Sequence, residues 1–206
     1  MNLPLNYFAL CVVALATSTT TATAGTVEQA TIIAEPQMQI KDGAIQGCGY
    51  RLKSFPQSLR GLNSVVALDT SFNIYAEGSA LLKGGAVRFP VNAGALGQAA
   101  NKPIVSFWMK AQAEKPTKAL NGKVLAADTQ GYLIYGEAIS TVAKLFESVA
   151  EGTPLTIGVR VKSEGVDRIH SGVARLTDQD QAQTVQCMAE LIKQLEAAKE
   201  SKPSGK

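Results

Sequence analysis

The sequence predicts an α+β fold: a mainly antiparallel β-sheet, arranged as a two-layer sandwich, with two helices in the C-terminal half. Three observations support this prediction. Apolar and polar residues alternate with period two over much of the chain between residues 45 and 137, which is typical of half-buried strands. Apolar residues at helical spacing occur in two segments after residue 138. No linker divides the chain, so residues 25–198 are expected to form one domain.

The first 24 residues are predicted to be a cleavable signal peptide. An apolar run at residues 7–16 is too short to cross a bilayer, which takes about 20 residues. Small residues at Ala22 and Ala24 suit a signal peptidase and place the cleavage before Gly25. No Lys or Arg precedes the apolar run, and the alternative is a buried N-terminal segment. The mature protein is therefore expected to be periplasmic or secreted.

Strands are predicted in chain order from the period-two alternation. After a short polar start, the predicted strands are residues 45–52, 64–77, 104–111, 123–128, 132–137, 155–161 and 168–176. Residues 80–89 could form a hairpin that turns at Gly84 and Gly85. In segment 104–111, Val105, Phe107 and Met109 are expected to face one way and Trp108 the other.

Two amphipathic helices complete the predicted fold. Residues 140–151 carry apolar residues at helical spacing, and Gly152 and Pro154 stop this helix. Thr177 or Asp178 caps a second helix that runs to about residue 198. Residues 199–206 are expected to be a disordered tail. The inner face of the second helix is predicted to consist of Val185, Met188, Leu191, Ile192 and Leu195.

Two cysteines remain once the signal peptide and its Cys11 are removed, namely Cys48 and Cys187. In an oxidising compartment an even pair favours one disulfide. This disulfide would join the start of the domain to its last helix. The alternative is two separately buried thiols.

Several function classes lack the residues that they need. The formal net charge of +3 is small, and the basic residues are not concentrated as in nucleic-acid-binding proteins. After the signal peptide no apolar stretch is long enough for a transmembrane segment. Structural zinc takes four Cys or His ligands, whereas His170 is the one histidine. Asp178 and Asp180 are more typical of an acidic helix N-terminus than of a calcium site. The sequence predicts no metal and no cofactor.

Nucleophilic catalysis would have to use His170. Ser171 is its neighbour in sequence, but adjacent residues of a strand point to opposite faces and do not hydrogen-bond. Cys48 lies between two glycines and is better explained as half of a disulfide.

Two Asp-Thr segments resemble the signature of aspartic proteases. Apolar residues lead into Asp69-Thr70-Ser71 and again into Asp128-Thr129-Gln130. In the protease family two such aspartates share a proton and activate water. Ser71 and Gln130 replace the family's glycine, and the two copies are too close for two complete lobes. The alternative is that both segments form turns between strands.

Trp108 is the only tryptophan of the chain. If its face of the strand is exposed, it would anchor a partner or an apolar ligand. The alternative is a core tryptophan.

Across residues 47–195 the order of features resembles exported proteins of the invasion-associated locus B type. The matching pieces are the signal peptide, Cys48 on an early strand, residues 71–78 (SFNIYAEG), residues 151–154 (EGTP) before a strand, and a final helix with Cys187. The chain departs from the family in having fewer cysteines and in lacking a tryptophan-containing opening strand. The resemblance implies a periplasmic, β-rich and non-enzymatic protein.

The resulting functional hypothesis is a non-catalytic binding or adaptor protein of the bacterial cell envelope, with an envelope protein as partner. The first alternative is a hydrolase that uses Asp69 and Asp128. The second is a carrier of a small apolar ligand, with Trp108 near the ligand.

Overall fold

The computed structural model describes residues 25–58, 62–92 and 95–200. The predicted signal peptide and residues 201–206 of the predicted tail lie outside the described residues. Within these ranges the elements are β1 (Val27–Lys41), β2 (Ala44–Pro56), β3 (Ser64–Tyr75), β4 (Ala80–Asn92), β5 (Ala95–Leu96), β6 (Ala100–Lys102), β7 (Ile104–Ala111), β8 (Val124–Ala126), β9 (Leu133–Gly136), α1 (Ile139–Glu151), β10 (Pro154–Val161), β11 (Asp167–Arg175) and α2 (Asp178–Glu200).

The strands form one mainly antiparallel sheet, which confirms the predicted fold class. Its order is β7-β10-β11-β1-β2-β3-β4-β9-β8, with β5 and β6 paired to β4. Of these pairs, β1 with β11 runs parallel. The sheet curls until its two parts face each other, because the ring of Phe107 on β7 lies directly against Gly84 on β4. The two facing parts of the sheet make the two layers of the sandwich.

Apolar side chains fill the space inside the curled sheet. Phe146 of α1 packs between two rings of the sheet, with centroids 5.4 Å from Tyr50 and 5.0 Å from Phe72. Helix α2 packs against β1 and β2 and is bonded to β2 through the Cys48–Cys187 disulfide. The largest fully buried residues are Tyr50, Phe72, Ile32, Leu52, Leu68, Leu82, Met109, Leu145, Leu155, Ile157, Leu191 and His170.

The first strand, β1, was not predicted from the sequence. Its 15 residues include Pro36, and a proline in a strand normally indicates an edge. The structure agrees with that rule, because β1 pairs with β11 only from Val27 to Ile33. Beyond Ile33 the strand pairs with β2 on one side only. Pro36 therefore lies on an edge, where its missing N–H does not remove a hydrogen bond to a second neighbouring strand.

The predicted hairpin at Gly84 and Gly85 is wrong. Both glycines lie in the middle of β4, which continues without a turn from Ala80 to Asn92 and pairs with β3 along Ser64–Ile74. A Cβ atom at Gly84 would collide with the ring of Phe107 inside the sheet. At Gly85 it would collide with the ring of Tyr132 outside. The glycines therefore make room for two rings and do not form a turn.

Strand β7 has its predicted bounds but not its predicted alternation. Phe107 and Met109 are buried as expected, whereas Val105 is 52% exposed. The register between β7 and β10 shifts between Arg160 and Val161. This irregularity turns Val105 out of the core, because an extra residue reverses the side-chain direction.

Helix α1 ends as predicted at Gly152, whose φ of 65° is the left-handed conformation that favours glycine. Helix α2 begins with a capping box, in which the Asp180 N–H donates to Thr177 Oγ1 and the Thr177 N–H donates to Asp180. The helix continues to Glu200, two residues beyond its predicted end.

The predicted inner face of α2 is partly wrong. Val185 is 64% exposed and Ile192 is 49% exposed, while Thr184 and Cys187 are buried. The disulfide turns the helix so that the Cys187 face meets the sheet. Leu191, Met188 and Leu195 do contact the core. No helix among the described residues combines the length and hydropathy of a membrane span.

Candidate functional site

The outer face of the sheet, which points away from the core, carries a band of polar side chains on β1 to β4. Along β3 this face presents Asp69, Ser71, Asn73 and Tyr75 in alternate positions. Each of the four has lower exposure than an ordinary surface residue, and Asp69, Ser71 and Asn73 are 6–8% exposed. Polar groups this buried need partners, and most of those partners come from neighbouring strands.

Asp69 is the centre of this band. Arg51, on the adjacent strand β2, donates two hydrogen bonds to its carboxylate, from Nε at 2.8 Å and from Nη2 at 2.6 Å. The Tyr132 hydroxyl donates a third at 2.8 Å. The pairing raises the pKa of Arg51 above its ordinary value, mainly through the hydrogen bond to Asp69. Burial and the Asp69 acceptor likewise raise the pKa of Tyr132.

Tyr132 reaches Asp69 because Gly85 has no side chain. The tyrosine ends a turn over residues 127–132, which is closed by hydrogen bonds from Tyr132 N–H to Thr129 and from Ala127 N–H to Tyr132. Its ring covers Gly85, and the residue is 7% exposed. The 127–132 turn therefore packs on the outer face of β4 and borders the polar band.

Lys83, on β4, binds the 127–132 turn to the sheet. Its Nζ lies 2.5 Å from Asp128 Oδ1 and 2.8 Å from Thr129 Oγ1, and 5.7 Å from the centre of the Tyr132 ring. The hydrogen bond from Lys83 lowers the pKa of Asp128. The side chain of Asp128 is 86% exposed, so this ion pair is open to solvent and to competing anions.

Three adjoining cavities lie on the outer face of the sheet, between the 127–132 turn and strands β1 and β2. The central one has a volume of about 160 Å³ and includes Arg51, Asp69 and Lys83. It shares lining residues with a cavity of about 390 Å³ on one side and with one of about 290 Å³ on the other. We call the three together the outer groove. Its lining includes Gln37, Gln39, Arg51, Lys53, Phe55, Asp69, Ser71, Asn73, Tyr75, Leu81, Lys83, Val87, Phe89, Asp128, Thr129, Tyr132 and Ile134.

One end of the outer groove is rich in amides. Asn73 donates to Gln37 at 3.3 Å, and Gln39 donates to the Tyr75 hydroxyl at 2.9 Å. These contacts cross β2, where Gly49 leaves space for the side chain of Asn73. The Oδ1 atom of Asn73 is buried and has no hydrogen-bond partner. The structure therefore holds an unused acceptor beside this end of the groove.

The other end is apolar. Phe55 and Phe89 lie with ring centroids 6.0 Å apart, and Val87 lines the same cavity. Both rings are half-buried, so they leave apolar surface at the groove. The groove thus changes from apolar to charged to amide-rich along its length.

The two aspartates of the hydrolase hypothesis lie at the same groove but in different roles. Asp69 accepts its hydrogen bonds from Arg51 and Tyr132, and Asp128 is bonded to Lys83. A protease dyad needs two carboxylates that share one proton, and here each carboxylate is held by its own cation. The turn interpretation applies to Asp128, whose Oδ1 accepts the Thr129 N–H. It is wrong for Asp69, which lies in the middle of β3.

His170 has a hydroxyl partner that the sequence did not indicate. Ser54 Oγ lies 2.8 Å from His170 Nδ1, although the two residues are far apart in the chain. Their exposures are 0% and 1%, so no substrate reaches this pair. Burial lowers the pKa of His170 to about 4, with a further lowering by Arg168. Ser171 faces away from His170, as expected.

Trp108 is half-buried on the outer face of the sheet and is not a core residue. Its indole covers Gly158 on β10, and its Nε1 lies 3.5 Å from Asp167 Oδ2. It lines none of the three cavities of the outer groove. Its placement therefore gives no support to a ligand in the groove that contacts Trp108.

Among the described residues no group of three or more His, Cys, Asp or Glu is placed to hold a metal ion. Asp180 caps α2 through Thr177, which is the helix N-terminal role expected for it.

Arg51, Lys83 and Tyr132 were not singled out from the sequence. The Gly84-Gly85 pair could have indicated that a side chain such as Tyr132 packs on this strand, since glycine inside a strand often marks the close approach of another group.

Comparison with known proteins adds no relative to these observations. The chain matches no protein-family model, no curated protein and no solved structure.

Proposed function

We propose that this chain is a non-catalytic binding protein of the bacterial cell envelope and that the outer groove is its recognition surface. The observation that carries the proposal is the continuity of the groove. Three cavities share side chains and combine apolar, charged and amide-bearing surface in one depression. A few polar groups beside apolar surface is the common composition of binding sites.

Two further features support a binding role in an exported protein. The Cys48–Cys187 disulfide is of the kind that persists in oxidising compartments, which supports export after removal of residues 1–24. In the groove, Asp69 and its donors Arg51 and Tyr132 hold one another in place. Groups held in this way suit recognition better than proton transfer or nucleophilic attack.

The proposal is tested by cross-linking the tagged, exported protein in cells and identifying by mass spectrometry what co-purifies. Gln37→Trp should fill the groove and remove the specific partner, because Gln37 lines both the central and the amide-rich cavity. Gln29→Trp is the matched control, on the same strand and face but outside the groove. Loss of the partner in the control and not in Gln37→Trp would refute the groove as the recognition surface.

A carrier of a small apolar ligand is the second candidate, favoured by the Phe55–Phe89 end of the groove. Its cavity of about 290 Å³ also contains the charged residues Arg51, Lys53 and Asp69. A purely apolar ligand would have to be bound beside them. Extraction of the exported protein followed by mass spectrometry should then release a small apolar compound, and an empty extract would count against a carrier.

A further inference from the structure

The outer groove follows the direction of the strands. Along β2 it extends from Phe55, in the apolar cavity, to the level of Gly47, which pairs with Tyr75 of the amide-rich cavity. At about 3.3 Å per residue, the eight residue steps from Gly47 to Phe55 correspond to roughly 26 Å. A compact small molecule fills one cavity of this row, whereas an extended chain fits its whole length.

Charge in the groove is available mainly at Lys83. Arg51 is held by Asp69, whose side chain is 11% exposed, and Lys53 is held by Glu35, which is 45% exposed. The partner of Lys83, Asp128, is 86% exposed. An exposed ion pair of this kind is weak. An incoming carboxylate therefore replaces Asp128 at Lys83 more easily than it replaces either of the other two acids.

The apolar cavity and Lys83 have a fixed spacing. Val87 and Lys83 lie on β4 four residues apart and point to the same outer face. Four residues of extended chain span about 13 Å. A peptide that lies along the strands presents its own residues i and i+4 to one side at this same distance.

From this geometry we infer that the outer groove binds an extended peptide segment of the partner, with an apolar side chain at position i in the Phe55–Phe89–Val87 cavity and a carboxylate at position i+4 on Lys83. The inference rests on the proposed function and names its partner class. The amides of Gln37 and Gln39 at the far end of the groove match the donors and acceptors of a peptide backbone.

A linear glycan is the other extended molecule that a groove of this length would admit. Glycans are commonly held by stacking on open aromatic faces. Tyr132, the ring at the centre of the groove, is 7% exposed and lies with its ring over Gly85. The centre of the groove therefore offers no open ring on which a sugar could stack, and this favours the peptide.

The test uses isothermal titration of the oxidised, exported protein with a synthetic nine-residue peptide, acetylated and amidated. The peptide has phenylalanine at its third position, glutamate at its seventh, and serine, threonine or glycine elsewhere. Binding should weaken roughly two- to fivefold when glutamate is replaced by glutamine, since the glutamine oxygen still accepts a hydrogen bond from Lys83 but the solvent-exposed ion pair is lost. A peptide of identical composition with glutamate moved to the sixth position should bind as weakly as the glutamine peptide.

Lys83→Gln should remove the difference between the glutamate and glutamine peptides. Lys110→Gln, a lysine on β7 outside the groove, should leave it unchanged. The peptide variants act on the unaltered protein, so the result does not depend on the folding of Lys83→Gln. Equal binding of the sixth- and seventh-position peptides, or no binding at millimolar concentration, overturns the inference.

Failure of the peptide does not by itself overturn the proposed function. If the cross-linked partner is still lost in Gln37→Trp, the groove is a recognition surface for something other than this peptide class. If the material cross-linked at the groove is a glycan, the peptide inference is overturned directly. If no partner depends on Gln37, the proposed function fails and the peptide inference fails with it.

Discussion

Asp69 and Asp128 follow similar sequence segments, yet their surroundings assign them different roles. Asp69 lies under Tyr132 and fixes Arg51, so that two side chains, one from β2 and one from the 127–132 turn, depend on it. Asp128 lies at the tip of the turn and is mostly in solvent. The distinction comes from tertiary contacts with Arg51 and Tyr132, which are 18 and 63 residues away in sequence. No local pattern around Asp69 indicates them.

Asp69→Asn is expected to lower the free energy of unfolding by about 2 kcal/mol, because Arg51 and Tyr132 lose a charged acceptor and Arg51 remains partly solvated. Asp128→Asn should leave stability unchanged within error, since that ion pair is exposed. Urea denaturation of both variants measures the contrast. Under the hydrolase hypothesis both variants would instead keep their stability and lose an acid-range activity.

His170 makes stability depend on pH. Its pKa of about 4 in the folded protein lies below the ordinary value of 6.5, so between these values the unfolded chain binds a proton that the folded chain does not. The contribution of His170 to stability is therefore complete above about pH 6.5 and falls by roughly 3 kcal/mol as the pH drops to about 4.

The measurement is the free energy of unfolding from pH 7 to pH 4 for the unaltered protein and for His170→Leu. The variant is less stable at pH 7, because Ser54 loses its partner, but its curve should be flatter in this range. Parallel curves for the two proteins would show that another group is responsible for the acid sensitivity.

At the scale of elements, a repeated arrangement is an aromatic ring that covers a glycine of a neighbouring strand. Trp108 covers Gly158 and Tyr75 lies against Gly47, and both are direct cross-strand pairs. Such rings replace the side chain that glycine lacks and protect the strand backbone. Tyr132 and Phe107 cover Gly85 and Gly84 in the same way from outside and inside the sheet.

Gly158→Ala should destabilise the protein by roughly 2 kcal/mol, because the new methyl group would displace the indole of Trp108. Gly165→Ala is the control, since no atom lies within 4 Å of the position of its Cβ. Thermal unfolding followed by Trp108 fluorescence compares the two. An equal effect of both substitutions would contradict the contact between Trp108 and Gly158.

The elements that could be predicted from the sequence are those in which periodicity and burial agree. Strand β10 alternates with one face in the core, and α1 ends at a glycine that adopts the required conformation. The predictions were wrong where a contact with a residue distant in sequence, and not the local sequence pattern, determines the structure. Pro36 lies on an edge, Gly84 and Gly85 accommodate rings, and the disulfide sets the buried face of α2. For the site, the sequence indicated Asp69 and Asp128 as residues of interest but not their cations.

At the scale of the whole molecule, the disulfide connects the two ends of the fold. It joins β2 to α2 across 139 residues of sequence. The large loop makes the entropic contribution to stability correspondingly large. This bond also holds α2 over β1 and β2, the strands whose opposite face carries part of the outer groove.

Reduction of the disulfide, or the double substitution Cys48→Ala and Cys187→Ala, should lower the free energy of unfolding by up to about 5 kcal/mol. Hydrogen exchange should accelerate first in α2, because this helix loses its covalent contact with the sheet while β3 retains both neighbouring strands. Uniform acceleration in α2 and β3 would contradict this order.

The most direct test of the central claim, that the outer groove is the recognition surface, is position-specific photo-cross-linking in cells. A photoreactive amino acid replaces Gln37 in the groove or, as the matched control, Gln29 on the same face of β1. The account predicts one dominant cross-linked product from position 37 and none from position 29. The same product from both positions, or a product from position 29 alone, would contradict it.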